Sequence, residues 1–232
     1  MKTFKGILDT VSFPNKITGY VVAPDNDPRI HGFAVQADLG FTCGFTQVIW
    51  LSLTGELPTV EEVEIFNRAL VWLTPMHVGE GPTHAAVLAK VISAPNEVVP
   101  AVATIALGQR IKAELQELAS FFNWLEKREG SLPSEIIEPE PSVSQLETWK
   151  KLGEDTRRWF GSQRAFEGLM WRREPTAYAL FYYLGIRDEA RLIALSTIAR
   201  LSTILAEAAC TEAGSIMRYP TKTPSYVYME ED

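Results

Sequence analysis

His31, His77 and His84 are the three histidines of a 232-residue chain, and none lies beyond residue 84. Chemistry that needs a histidine beyond residue 84 is therefore excluded. Cys43 and Cys210 are isolated, and neither Cys-x-x-Cys nor His-Glu-x-x-His occurs, so no metal site is expected. What remains for chemistry is a set of carboxylates and arginines. Glu174 stands directly before Pro175 at a predicted helix start, and Arg200 lies inside an apolar helix rich in Ala, Ser, Thr and Leu. An ionised carboxylate can move a proton, and arginine's planar fork holds carboxylates in bidentate fashion.

Each of these residues also has a purely structural reading. Glu174 is the kind of acid that a helix N-terminus favours. A buried Arg200 needs a partner, for which the sequence offers Glu174 or Glu207. His77 sits in the glycine-rich Met76-His-Val-Gly-Glu-Gly81 stretch and is a candidate donor. His84, between Thr83 and Ala85, reads as a structural or capping histidine, and His31 as a turn residue. Arg172 and Arg173 read as an exposed basic pair, and Phe181-Tyr-Tyr183 as core.

The elements that must position them are mostly helical. Ile17-Thr-Gly-Tyr-Val-Val22 reads as a short strand, followed by the turn cluster Pro24-Asp-Asn-Asp-Pro28. Helices are expected over 44–54, stopped by Gly55, and from Thr59, where Glu62 completes a capping box. Val63, Phe66, Leu70 and Leu73 continue that helix at helical spacing. Further helices are expected over 83–93 and 98–128, the second with Lys112, Glu114, Glu117, Glu126, Lys127 and Arg128 on its exposed face. Gly130, Pro133, Pro139 and Pro141 mark 129–144 as a loop or linker. Helices over 143–160, from Pro175 to Gly185 and over 189–209 follow.

Composition limits the function classes. The chain is 46% hydrophobic and 22% charged, ordinary for a globular protein, with a net charge of −7. An acidic balance argues against nucleic acid as the principal partner. Nothing approaches 18 consecutive apolar residues, so no membrane span is expected, and the N-terminal stretch lacks the apolar core of a secretory signal. Two cysteines are too few for a disulfide framework and fit a reducing compartment, so a cytoplasmic location is expected.

Several segments together resemble the citrate synthase superfamily, and most closely its citryl-CoA-cleaving branch, the C-terminal module of ATP citrate lyase and free citryl-CoA lyase. Ile30-His-Gly-Phe33 with Trp50-Leu-Ser-Leu-Thr-Gly-Glu-Leu-Pro-Thr59 is similar to the family's Arg-Gly-Tyr turn and the helix ending in Leu-Thr-Gly-Glu-Leu-Pro. Leu73-Thr-Pro-Met-His77, on through His84 to Thr104-Ile-Ala-Leu-Gly-Gln-Arg110, resembles the lyase stretch running from a substrate-binding histidine to Thr-Ile-Gly-Asp-Arg. Glu174 and Arg200 stand 26 positions apart, the family's separation between its catalytic Asp and its substrate arginine, and Gly185 falls on the family glycine between them. Met217-Arg-Tyr-Pro-Thr-Lys-Thr-Pro-Ser-Tyr-Val227 is similar to the family tail. The matches cover roughly residues 17–110 and 170–228.

The resemblance implies an all-α fold: a citrate-synthase-like helical large domain (1–112 and 165–232), a reduced small or cap subdomain (113–164) and a minor N-terminal β element. It also implies a homodimer or dimer-based oligomer. The chemistry implied is making or breaking a carbon–carbon bond of a small polycarboxylate through the enol of an acyl thioester. Glu174 would then be the base and His77 a catalytic donor. Arg200, Arg218, Arg110 and His84 would bind substrate, with Arg218 supplied across the dimer. No tightly bound cofactor is implied, and a coenzyme A ester would be a substrate.

The chain departs from the family at several points. Glu replaces the family Asp, and the extra methylene moves the carboxylate by about 1–1.5 Å, a displacement able to cost ~10²-fold in rate. The glycine turn after Arg110 is missing, no histidine follows His84, and the family's Asp-Pro-Arg is absent. Only 64 positions separate Arg110 from Glu174, short for a coenzyme A-binding domain. The rival expectation is a non-catalytic paralogue, a dimer that binds a carboxylate or a partner protein.

Overall fold

A computed structural model describes residues 17–214, so the tail carrying Arg218 lies outside the described residues. The chain divides into two compact units at Thr59/Val60.

In the first unit, β1 (Val22–Ala23), β2 (Arg29–Ile30) and β3 (Phe33–Ala34) form a small antiparallel meander. The strand expected over 17–22 is thus only its last residue and the next: Ile17 and Tyr20 are almost fully exposed and have no sheet partner to bury them. His31 takes a left-handed conformation between β2 and β3, as a turn residue should (φ +47°). A π-helical stretch Val35–Leu39 runs into α1 (Gly40–Thr42) and then α2 (Phe45–Thr54). Gly55 ends α2 at φ +86°, where its N–H donates to the Leu51 carbonyl.

The second unit contains α3 (Val60–Leu73), α4 (Gly81–Val91), α5 (Val98–Glu117), α6 (Ala119–Lys127), α7 (Val143–Phe160), α8 (Arg173–Tyr183) and α9 (Glu189–Cys210). The all-α expectation with a minor β element therefore holds. Helix α9 packs on α3, α4 and α5, while α8 packs on α3 and α6. By length and composition α9 could cross a membrane, but its inward stripe carries Ser196 and Arg200 and is buried against these neighbours.

Two expectations are corrected here. The long helix expected over 98–128 is two helices, because the backbone leaves helical geometry at Leu118 (ψ +6°). Glu114 is also not on an exposed face. It falls on the buried stripe Ala103, Leu107, Ile111, Leu115 and is 7% exposed.

The proline-rich segment after α6 is a loop, but not a free one. Ile136 is fully buried, its carbonyl accepts from Arg172 N–H (2.7 Å), and Glu138 N–H donates to Met170 (2.9 Å). This short antiparallel strap, with Ile137 opposite Trp171, fixes the residues that lead into α8.

Trp171 itself is 2% exposed and is the hub of an aromatic core. It meets Phe121 edge-on at 5.3 Å and lies 4.5 Å from Phe166 and 5.5 Å from Trp149. Helix α7 grips Phe166 by its backbone: the Thr156 hydroxyl accepts from Phe166 N–H (2.9 Å), and Gly153 faces the Phe166 carbonyl. A Cβ on Gly153 would lie 2.5 Å from that oxygen. Gly153→Ala is therefore expected to destabilise by about 1–3 kcal/mol, outweighing the ~1 kcal/mol that alanine gains in a helix interior. A urea titration showing no loss of stability would contradict this packing.

Candidate active site

Glu174 occupies the first turn of α8, with Pro175 beside it, where a carboxylate is favoured and a missing N–H is harmless. Its side chain is 30% exposed and pairs with Arg173, whose Nε donates to Oε1 at 3.1 Å. Burial alone would push the Glu174 carboxyl up. The adjacent Arg173 charge and hydrogen bond, with Arg200 farther off, overcome that and hold it below its ordinary value of 4.5. The stability this group contributes is present above the unfolded pKa and is lost as pH falls through the lower folded pKa. Arg173→Ala should raise the Glu174 pKa, read as an upward shift of its carboxyl titration by NMR. No shift, or a downward one, would contradict the assigned cause.

Arg200 is the most buried cation of the described chain, at 2% exposure. Its partner is neither Glu174 nor Glu207, as the sequence suggested, but Glu114 from α5. Nη1 and Nη2 donate to Glu114 Oε2 and Oε1 at 2.7 and 2.9 Å, a bidentate pair. Beside it, the Tyr178 and Ser196 hydroxyls share a hydrogen bond of 3.0 Å. Burial, with the negative Glu114 next, raises the Tyr178 pKa against the opposing Arg200 charge, so the phenol stays neutral.

The segment leading to His77 is held at four successive carbonyls. Leu73 O accepts from Arg200 Nε (3.4 Å), Thr74 O from the Thr203 hydroxyl (2.5 Å), Pro75 O from Arg173 Nη2 (3.2 Å) and Met76 O from the Thr83 hydroxyl (3.1 Å). Helices α9, α8 and α4 thus converge on the end of α3, whose last carbonyls lack helical partners. His77 follows with its side chain 60% exposed. Its Nδ1 accepts from Gly79 N–H (3.1 Å), which places the proton of a neutral ring on Nε2, 3.7 Å from Glu80 Oε1.

Glu174, Arg200 and the His77 loop are therefore linked through Arg173 and Arg200. Arg110 is exposed on α5, one turn before Glu114, and His84 is half-buried on α4; neither shares a hydrogen bond with Glu174 or Arg200. Sequence reasoning missed Glu114, Tyr178 and Ser196, and took Arg173 for an exposed charge. The signal for Glu114 was its spacing, three residues after Ile111 and seven after Leu107, which places it on the apolar stripe.

Beside Arg173 opens a cavity of about 320 Å³ lined mainly by Val71, Trp72, Pro75, Thr148 and Met170. The described residues hold no group of three His, Cys, Asp or Glu side chains able to bind a metal ion. The arrangement offers a partly exposed guanidinium, Arg173, lining an apolar cavity, and an ionised carboxylate, Glu174, paired with it.

No protein-family model matches the chain, and no curated protein matches it. Among solved structures, citryl-CoA lyase from Hydrogenobacter thermophilus is similar over 94% of this chain and 98% of that one, with a TM-score of 0.57 and 16% sequence identity. The chain has a citrate-synthase-like fold. The alignment spans nearly the whole length of that neighbour.

Proposed function

We propose that this chain is a citrate-synthase-like lyase or synthase that makes or breaks a carbon–carbon bond of a small polycarboxylate, with an acyl-CoA as the thioester partner. The observation that carries the reading is Glu174: an ionised carboxylate paired with Arg173, which lines the cavity, in a chain with a citryl-CoA lyase-like fold. Glu174 would move the α-proton and Arg173 would steady it. His77, whose Nε2–H faces the loop, would be a donor. Arg110, His84 and, in a dimer, Arg218 would hold the substrate carboxylates. Arg200 would then act at one remove, since its fork is filled by Glu114, by holding the His77 loop and the field at Glu174.

A specific observation favours a second reading. The arginine that the resemblance assigns to the substrate already holds an internal carboxylate, an arrangement suited to a non-catalytic dimer that keeps the scaffold. A thermal-shift screen with citrate, oxaloacetate, related di- and tricarboxylates and coenzyme A esters separates the two, since a ligand that binds the native state raises stability by mass action. Stabilisation by an acid and a coenzyme A ester, with turnover of the pair, is expected. Stabilisation by acids without turnover would favour the second reading.

A further inference from the structure

At the far end of α8 from Glu174, about 14 Å along the helix axis by its rise per residue, lies a cavity of about 480 Å³. Lys127, Arg128, Arg164 and Arg187 line it, against one acid, Glu126. Among the described residues none of these four cations has a carboxylate partner, unlike Arg68, Arg157, Arg158, Arg173, Arg191 and Arg200. In a chain of net charge −7 this clustering runs against the average field.

Three of the guanidinium groups lie over aromatic rings. Arg128 lies 4.4 Å from the Trp124 centroid and 5.4 Å from that of Tyr183, Arg164 lies 5.5 Å from Tyr183, and Arg187 lies 4.3 Å from Tyr182. A ring covers the face of a guanidinium and leaves its N–H edge directed outward, the edge that recognises planar or tetrahedral oxyanions. Those edges are largely unspent. Arg128 Nη2 donates to Arg164 O (3.2 Å) and to the Tyr183 hydroxyl, but its buried Nε has no partner. Neither Arg164 nor Arg187 makes a guanidinium hydrogen bond to any described residue.

From this cavity we infer a second ligand site, separate from Glu174, that takes an organic diphosphate. Four cations against one acid leave a local charge of about +3, which a diphosphate ester balances at neutral pH. The volume exceeds that of an inorganic ion and falls in the range of small-molecule sites. Leu125 and the Tyr182 and Tyr183 rings supply a wall for the organic part.

Isothermal titration calorimetry with ADP, pyrophosphate and citrate tests the site, with ADP as the probe of the class and pyrophosphate reading the diphosphate alone. ADP is expected to bind at one site with micromolar affinity, weakening steeply with salt, and citrate at least tenfold less tightly. Arg164→Gln and Arg187→Gln should each lower ADP affinity about tenfold or more while leaving the melting temperature of the unliganded chain unchanged, since both side chains are exposed. Binding weaker than millimolar, or affinity untouched by both substitutions, would overturn the proposal. Citrate binding as tightly as ADP would make the cavity a carboxylate site instead. None of these outcomes bears on turnover at Glu174, so the two readings fail separately.

Discussion

Replacing Glu114 with alanine is expected to cost about 3–5 kcal/mol of folding stability at neutral pH, because it strands a fully buried charge. Arg200 is 2% exposed and cannot escape by losing its proton. Burial would lower its pKa, but the Glu114 hydrogen bonds and charge override burial and raise it. The converse substitution, Arg200→Met, should cost less, since methionine fills much of the vacated space and the carboxylate left behind is the more exposed partner, 10% against 2%. That asymmetry separates a buried pair from a surface one, where both changes fall within about 1 kcal/mol. The double variant Glu114→Leu/Arg200→Met should recover most of the loss, as apolar replacements of buried pairs do. Urea unfolding of the parent chain, Glu114→Leu, Arg200→Met and the double variant gives the cycle, and a coupling energy near zero would show that the pair does not hold α5 to α9. The same variants bear on function. If Arg200 is a substrate clamp blocked by Glu114, Glu114→Ala should bind small carboxylates more tightly than the parent chain. If it is a positioning residue, removing Glu114 should loosen the His77 loop and gain no affinity.

How far the sequence reveals this arrangement depends on whether a signal is local. Gly55 and Gly185 stop α2 and α8 because a left-handed residue after the last turn is a backbone requirement written at one position (φ +86° and +84°). Ser142 starts α7 in the same local way, its hydroxyl and the Gln145 side chain capping each other's backbone N–H groups. The pairing of Glu114 with Arg200 is not local. Read along the chain, Glu114 sits among Lys112, Gln116 and Glu117 and looks solvated; read around the helix, it lies with Leu107, Ile111 and Leu115. The partner of Arg200 was sought at Glu174, at the family separation, and at Glu207, within two turns, whereas the packing of α5 on α9 supplied a carboxylate 86 residues away. The break at Leu118 and the strap of Ile136 onto Arg172 were hidden for the same reason. Neither carries a glycine or proline at the decisive position, and both are set by what packs against them.

Glu174→Gln is the change expected to have the largest effect on activity. The amide keeps the size of the side chain and an oxygen for Arg173 to meet, so folding should be nearly unaffected at a side chain already 30% exposed. It removes the ability to accept a proton, and the proposed carbon–carbon step should slow by about 10²–10⁴-fold, the usual scale for loss of a positioned general base. Substrate binding, measured by calorimetry, should change by less than about threefold. Glu174→Asp separates position from chemistry. The start of α8 is fixed from behind by the Arg172–Ile136 hydrogen bond, so the backbone cannot advance to make up the lost methylene. A carboxylate withdrawn by about 1–1.5 Å should cost ~10²-fold, despite aspartate being the residue at this place in the family the chain resembles. Full activity of Glu174→Gln would remove Glu174 from the chemistry. Equal loss of binding and turnover would make it a structural partner of Arg173, holding the carbonyl of Pro75 and the loop that carries His77.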